Sequence, residues 1–385
     1  MTDTPQKTKS LDRETFAVQA GGEIDPVSGA IIPAIEIATT FERDADLGYR
    51  RGSVYGRADN QTVARCEQVI TALEGGAQSL VFSSGMAAAT AFFLALERPC
   101  HIVAPRVMYW SLRNWLSNEA PTLGIDVTFV DASDVGAVAD AIRPGATRAV
   151  WIETPANPLW TLSDIAAIAA HAKQAGACVA VDSTAASPVV QQPLTRGADV
   201  VMHAATKYLN GHSDVVAGSL TFAHDDALMA RAGTIRASYG AILGPFEAAL
   251  LLRGMRTLFV RVARQCETAA AVARAMSDSA DVAHVLYPGV ATGSAYDLAR
   301  QQMPGGFGGM LSLRCAGGRD HAVQTAARLG LIKRATSLGG VETLVEHRAS
   351  IEGEGTPCPD DLLRLSIGLE PATALIDDLR QALAR

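Results

Sequence analysis

Only five lysines occur in the 385-residue chain, Lys7, Lys9, Lys173, Lys207 and Lys333. Chemistry that needs a side-chain amine therefore has few places to sit. Lys7 and Lys9 lie in a polar stretch, MTDTPQKTKSLDRETF, that reads as a loose tail. Lys173 falls near the end of the amphipathic pattern SDIAAIAAHAKQAG, where a cation suits the end of a helix and solvent. Lys333 precedes Arg334 and reads as half of a surface pair. Lys207 differs. In HAATKYLNGHSD it follows small or neutral residues, just after the apolar stretch Ala198–Met202, and precedes Tyr208. Burying an ammonium is costly unless a neutral amine is what the site needs.

Further polar candidates fall at the ends of predicted strands. In VFSSGMAA the chain turns from strand to helix through Ser84 and Gly85. Free helix N–H groups and a hydroxyl there suit a phosphate, although such a turn taken alone is usually a plain cap. Asp182 ends ACVAVD, and by itself it is as readily a turn cap for the STAAS that follows. Asn157 in ETPANP follows the strand RAVWIE and alone is an ordinary turn residue. Tyr109 follows HIVAP, where it could stack on a flat ligand or simply pack.

Taken together, these residues are what pyridoxal 5'-phosphate requires. Its aldehyde forms a Schiff base with a neutral lysine, and its pyridine nitrogen needs a carboxylate to stay protonated and draw electrons. A desolvated position beside Thr206, Tyr208 and a protonated pyridine would lower the lysine pKa.

The elements that must position these residues alternate. From about residue 78 to 222, short apolar strands (SLVFSS, HIVAP, DVTFVD, RAVWIE, CVAVDS, ADVVMHA) are separated mainly by helical stretches. That pattern predicts a mostly parallel sheet covered on both faces, with ligands at the carboxyl ends of its strands. A Gly/Pro break near Tyr239–Pro245 leads to a long helix, and the rest reads as a smaller α/β unit: strand GMLSLRC, helix RDHAVQTAARLG, strand LLRLSIGLE and terminal helix ATALIDDLRQALA. EGEGTPCPDD reads as an exposed turn-rich loop. The Gly/Pro break divides the chain into a first unit up to about residue 243 and a C-terminal unit (244–385).

Composition narrows the partners. The net charge of −7, with 48% hydrophobic residues, argues against a nucleic-acid or anionic-membrane surface. The longest strongly apolar run, MAAATAFFLAL, is too short to span a bilayer. The polar N-terminus lacks an apolar signal core, and the six cysteines form no CxxC or Cys/His cluster. The expectation is a cytoplasmic protein without a metal site.

DVVMHAATKYLNGHSD, together with SSGMAA, ETPANP and TSLGGVETLVEHRAS, resembles the cystathionine lyase/synthase family of Cys/Met-metabolism pyridoxal-phosphate enzymes. The likeness runs from about Phe16 to the end. It implies an N-terminal arm (1–57), a large cofactor domain (58–243) on an aspartate-aminotransferase-like sheet of seven-stranded type, a smaller C-terminal domain (244–385) and a homotetramer built from dimers. Lys207 would be the Schiff-base lysine and proton shuttle, Asp182 the partner of the pyridine nitrogen, and Asn157 the contact to the ring hydroxyl. Tyr109 would stack on the ring, and Gly85, Met86 and Thr206 would hold the phosphate. Tyr55 and Arg57 of VYGRADNQT match a motif reaching the phosphate of a neighbouring subunit. Lys207, Tyr109 and Tyr55 would form the catalytic set. Arg364 would clamp the substrate carboxylate, with Ser337 and Thr336 beside it; a strand-edge surface charge is the alternative reading of Arg364.

Departures concern the substrate side. Ala204 stands for a common serine, Ser183 for an asparagine and Gln61 for a proline. YWSL replaces a common Tyr-Gly-Gly-Thr, placing the bulk of Trp110 near the ring. Thr336 stands for a glutamate usual in γ-synthases and γ-lyases, and Arg348 and Gly353 for a proline and a histidine. The resemblance implies a carbon–sulfur lyase of the transsulfuration type, acting on cystathionine or methionine by α-proton abstraction and elimination. The alternatives are γ-replacement, as in a cystathionine γ-synthase or O-acylhomoserine sulfhydrylase, and a pyridoxal-phosphate-binding regulatory protein. A nucleotide-binding dehydrogenase lacks its GxGxxG after the first strand.

Overall fold

A computed structural model describes residues 11–22, 24–25, 27–353 and 355–384. The N-terminal stretch with Lys7 and Lys9 lies outside them. Seven strands form the larger sheet: β1 (Gln78–Phe82), β2 (Cys100–Pro105), β3 (Ile125–Val130), β4 (Thr147–Glu153), β5 (Cys178–Asp182), β6 (Val200–His203) and β7 (Gly218–Phe222). Their order is β1-β7-β6-β5-β4-β2-β3. Strands β2 to β6 pair in parallel, as their continuous apolar runs and helical crossovers require.

Strand β7 runs antiparallel to both β6 and β1, and the alternating pattern did not signal it. A parallel return needs a crossover of a dozen or more residues, usually a helix. Residues 204–217 are instead spent on the turns around Lys207, so the chain comes straight back.

Both faces of this sheet are covered. Trp151 of β4 packs with Phe92 and Phe93 of the helix Gly85–Ala95, the Phe93 ring centroid lying 5.0 Å from that of Trp151. Its neighbours Val150 and Ile152 point to the other face and pack with Ile165 and Ile168 of the helix Ile165–Gln174. Alternation along one strand thus feeds two apolar layers.

A second, five-stranded sheet follows: β8 (Val282–Leu286), β9 (Met310–Cys315), β10 (Lys333–Arg334), β11 (Leu344–His347) and β12 (Leu362–Ser366), in the order β10-β11-β12-β9-β8. Only β10 and β11 pair in parallel. The 20-residue helix Leu258–Ser277 ties this part to the larger sheet. Its buried Arg261 donates to the carbonyls of Tyr208 (3.0 Å) and Gly254 (2.8 Å), and Gln265 donates to those of Gly340 (2.7 Å) and Ile367 (3.1 Å). The turn carrying Lys207 and the loop carrying Ser337 are therefore anchored to one helix.

Candidate active site

Parallel strands place their carboxyl ends side by side. Glu153 of β4 pairs in register with Asp182 of β5, and Asp182 with Met202 of β6. All three line a cavity of about 240 Å³ whose walls also include Gly85, Tyr109, Thr206, Lys207 and Leu338. The sequence-predicted cofactor residues Gly85, Met86, Tyr109, Asn157, Asp182, Thr206 and Lys207 all meet there.

Lys207 sits in a tight turn. Its amide donates to the Ala204 carbonyl at 3.0 Å, and its carbonyl accepts from Gly211 at 2.7 Å, with Gly211 at a φ of 74° that favours glycine. The amine Nζ donates to Ser337 Oγ at 2.7 Å. Burial lowers the Lys207 pKa to about 8, helped by the charges of Arg364 and Arg348 and opposed by Glu346. At pH 7 roughly a tenth of the amine is then neutral, far more than for an exposed lysine. Ser337 has a φ of 91°, a conformation that costs a non-glycine residue energy. It is held there by Arg364 Nη2, which donates to its carbonyl at 2.9 Å.

The two carboxyls are buried, and both titrate above their ordinary range. For Asp182 the main cause is burial, opposed by the Thr184 hydrogen bonds and the charge of His203. For Glu153 burial comes first and the neighbouring Asp182 charge second. Asp182 Oδ1 accepts from the Thr184 amide at 3.0 Å, so the turn-cap reading of this residue is realised. Glu153 accepts from the amides of Tyr109 (2.7 Å) and Asn157 (2.8 Å), fixing the start of both loops. Behind the sheet, buried His203 bonds Glu74 at 2.6 Å. A cationic ring nitrogen beside Asp182 would favour its ionised form.

At the other end of the cavity, Ser84 caps the helix Gly85–Ala95 by accepting from the Ala87 amide at 3.0 Å. The amides of Gly85 and Met86 open that helix and have no intrahelical acceptor. A Cβ on Gly85 would stand 2.9 Å from that of Ala204, and one on Gly218 would stand 2.2 Å from the Ser84 carbonyl oxygen. The helix start is thus pressed against the lysine turn and β7 at glycines. The Thr206 hydroxyl donates to the Ala217 carbonyl at 3.1 Å and accepts from its amide at 3.0 Å. Ala204 supplies no hydroxyl. The set of buried amine, buried carboxylate, free helix amides and half-exposed Tyr109 ring fits pyridoxal phosphate.

Arg364 lies on β12, flanked by β11 and β9, and is buried, so it is not a strand-edge surface charge. Its guanidinium donates to Asn157 Oδ1 (3.2 Å) and Glu346 Oε2 (2.7 Å). Thr336 is exposed and does not line the cavity. Trp110 starts the helix Trp110–Asn118, edge-on to Tyr109. Tyr55 and Arg57 are exposed, with the Arg57 guanidinium 5.5 Å from the Tyr55 ring centre, and neither reaches the cavity within one chain.

Sequence reasoning assigned no role to Glu153, Thr184 or Glu346. The signal for Glu153 was its place at the end of a continuously apolar strand, like that of Asp182. Thr184 accepts from the Ala204 amide at 2.8 Å and ties the Asp182 loop to the lysine turn.

The sequence pattern of the family described as Cys/Met metabolism PLP-dependent enzyme matches residues 14–384. A relative named cystathionine gamma-synthase, from Mycobacterium tuberculosis (strain ATCC 25618 / H37Rv), is 42% identical, with 96% of each chain covered. One named cystathionine beta-lyase, from Coxiella burnetii, is 34% identical over 99% of this chain and 100% of its own. The solved cystathionine gamma synthase from Xanthomonas oryzae pv. oryzae, in complex with cystathionine, aligns with a TM-score of 0.93 at 35% identity, covering 97% of this chain and 98% of that one.

Proposed function

The chain belongs to the Cys/Met-metabolism pyridoxal-phosphate-dependent enzymes, and from that premise we propose that it is a carbon–sulfur lyase acting on a sulfur amino acid such as cystathionine. The observation that carries this reading is the contact of Lys207 Nζ with Ser337 Oγ, beside the Arg364 guanidinium that holds the Ser337 carbonyl. An amine poised to take a proton thus adjoins a cation suited to a carboxylate.

When bound, pyridoxal phosphate supplies an electron sink that stabilises the carbanion left at the substrate α-carbon. In our reading Lys207 would anchor it, Asp182 would hold its ring nitrogen, Asn157 its ring hydroxyl and Tyr109 its face. The amides of Gly85 and Met86, with Thr206, hold its phosphate. Arg364 receives the substrate α-carboxylate, and Ser337 keeps the Lys207 amine aimed at the cavity. Lys207, freed as the substrate amine takes its place, would then remove the α-proton, and the thiol would leave from the β-carbon, or from the γ-carbon after a second proton is taken.

A second reading, γ-replacement on an O-acylated homoserine, shares the first of these steps. It is supported by the relative named cystathionine gamma-synthase. We further place Tyr55 and Arg57 in the site of a neighbouring copy within a homotetramer, a role supported by their exposure beside exposed Val54. Among the described residues no helix is long and apolar enough to cross a membrane. The unpaired cysteines support a reducing cytoplasm.

A product screen tests the reading. Pyruvate from cystathionine marks β-elimination and 2-oxobutyrate marks γ-elimination. Turnover confined to an O-acylhomoserine plus a thiol, giving a thioether, overturns the lyase reading in favour of replacement.

A further inference from the structure

Four charges alternate behind the lysine: Arg364, Glu346, Arg348 and Glu352. Arg364 and Arg348 both donate to one oxygen of Glu346, Oε2, at 2.7 and 2.8 Å. Arg348 also donates to Glu352 Oε1 at 3.0 Å, and the other oxygen of Glu352 accepts from the Thr356 hydroxyl. All four charged side chains are buried. Arg348 is one of the departures from the family pattern, which usually has proline there, and the steps above give it no task.

A carboxylate pairs most strongly with one guanidinium through two parallel hydrogen bonds. Here Glu346 does not pair with Arg364 in that way. It offers a single oxygen, and Arg348 shares it. The other terminal nitrogen of Arg364, Nη1, meets the neutral amide of Asn157, and Nη2 also donates to the Ser337 carbonyl. Without Arg348, Glu346 would be free to close a two-point pair on Arg364, and an incoming carboxylate would have to displace it. Glu352 supplies the counter-charge that lets Arg348 stay buried while it does this.

We propose that Arg348 is a positioning residue: by sharing Glu346 Oε2 under the hold of Glu352, it keeps the Arg364 guanidinium available to the α-carboxylate of the substrate. The proposal rests on the reading of Arg364 as the carboxylate site.

The test uses the cofactor-loaded protein and two ligands without a leaving group, L-alanine and L-alaninamide, with binding followed by calorimetry. The double variant Arg348→Met/Glu352→Gln removes both partners, so no single buried charge is stranded. It is expected to weaken L-alanine about tenfold and to leave L-alaninamide unchanged. Arg348→Lys keeps the charge and is expected to stay within about threefold of the parent for L-alanine. Equal effects on the two ligands, or none, overturn the proposal, because a merely structural role does not distinguish carboxylate from amide. Arg364→Met serves as the reference. If it too leaves the preference for carboxylate intact, the reading of Arg364 fails and takes the proposal with it. If Arg364→Met abolishes the preference and the double variant does not, only the role of Arg348 is lost.

Discussion

Replacing Lys207 with methionine is expected to abolish turnover and yet stabilise the cofactor-free protein at neutral pH. Lys207 titrates at about 8 in the fold against an ordinary 10.5, chiefly because it is buried. At pH 7, below both values, the folded protein carries an ammonium that the unfolded chain would hold more comfortably in water. The difference is worth about 3 kcal/mol at about 1.4 kcal/mol per pH unit. The variant loses the hydrogen bond to Ser337, which offsets about 1 kcal/mol. Lys207→Met should thus be more stable by about 2 kcal/mol at pH 7. The sign of the pH dependence is fixed by proton binding. Between about 8 and 10.5 the unfolded chain still holds a proton that the native protein has released, so the parent gains stability as pH rises through that window. The advantage of the variant should therefore shrink through that window, and above 10.5 the variant should be the weaker protein by its lost hydrogen bond. Urea unfolding of both cofactor-free proteins at several pH values across the window reads this directly. A variant less stable at pH 7, or a difference that does not change with pH, would refute the assignment of Lys207 as a desolvated amine.

Two other substitutions probe the frame around the lysine. Gly218→Ala places a Cβ 2.2 Å from the Ser84 carbonyl oxygen and 2.8 Å from Gly85 Cα. It should cost about 1–3 kcal/mol and weaken pyridoxal-phosphate binding at least about tenfold, as measured by equilibrium titration; unchanged affinity would show that the start of the Gly85–Ala95 helix does not hold the phosphate. Glu153→Gln leaves only one acceptor oxygen for the amides of Tyr109 and Asn157. The unmet buried N–H should cost about 1–3 kcal/mol in thermal or urea unfolding and lower kcat/KM with the cofactor at saturation, whereas a variant equal to the parent would make Glu153 a bystander.

Much of this site was legible in the sequence because its geometry follows from strand direction. Continuous apolar runs separated by helices dictate parallel strands, and parallel strands align their carboxyl ends, so Asp182 and Asn157 had to converge; the Ser84–Gly85 turn joins them because β1 runs antiparallel to β7, which is itself antiparallel to β6. The scarcity of lysine then singled out Lys207. Other features had no periodic signal. Strand β7 follows a loop whose length is taken up by the lysine turns, and β10 is two residues long, too short for any alternation to register. Glu346 lies inside β11, where a lone charge in an apolar strand shows its partner only when β12 is laid beside it in register, Glu346 opposite Arg364. Arg348 could be read only as a departure from the family pattern. Its purpose depends on a hydrogen bond two residues back, to Glu346, and another four residues on, to Glu352. The role proposed for Tyr55 and Arg57 depends on a second copy of the chain, which no feature of a single chain can position.

The central claim is that Lys207 carries the cofactor on which the proposed lyase chemistry depends. The most direct measurement is reductive trapping: the protein loaded with pyridoxal phosphate is treated with borohydride, digested and mapped by mass spectrometry. The account requires the phosphopyridoxyl group on the peptide containing His203–Asp214, attached at Lys207 and lost in Lys207→Met. Attachment at Lys173 or Lys333 instead, or no attachment from a protein that stays colourless with added cofactor, would contradict it.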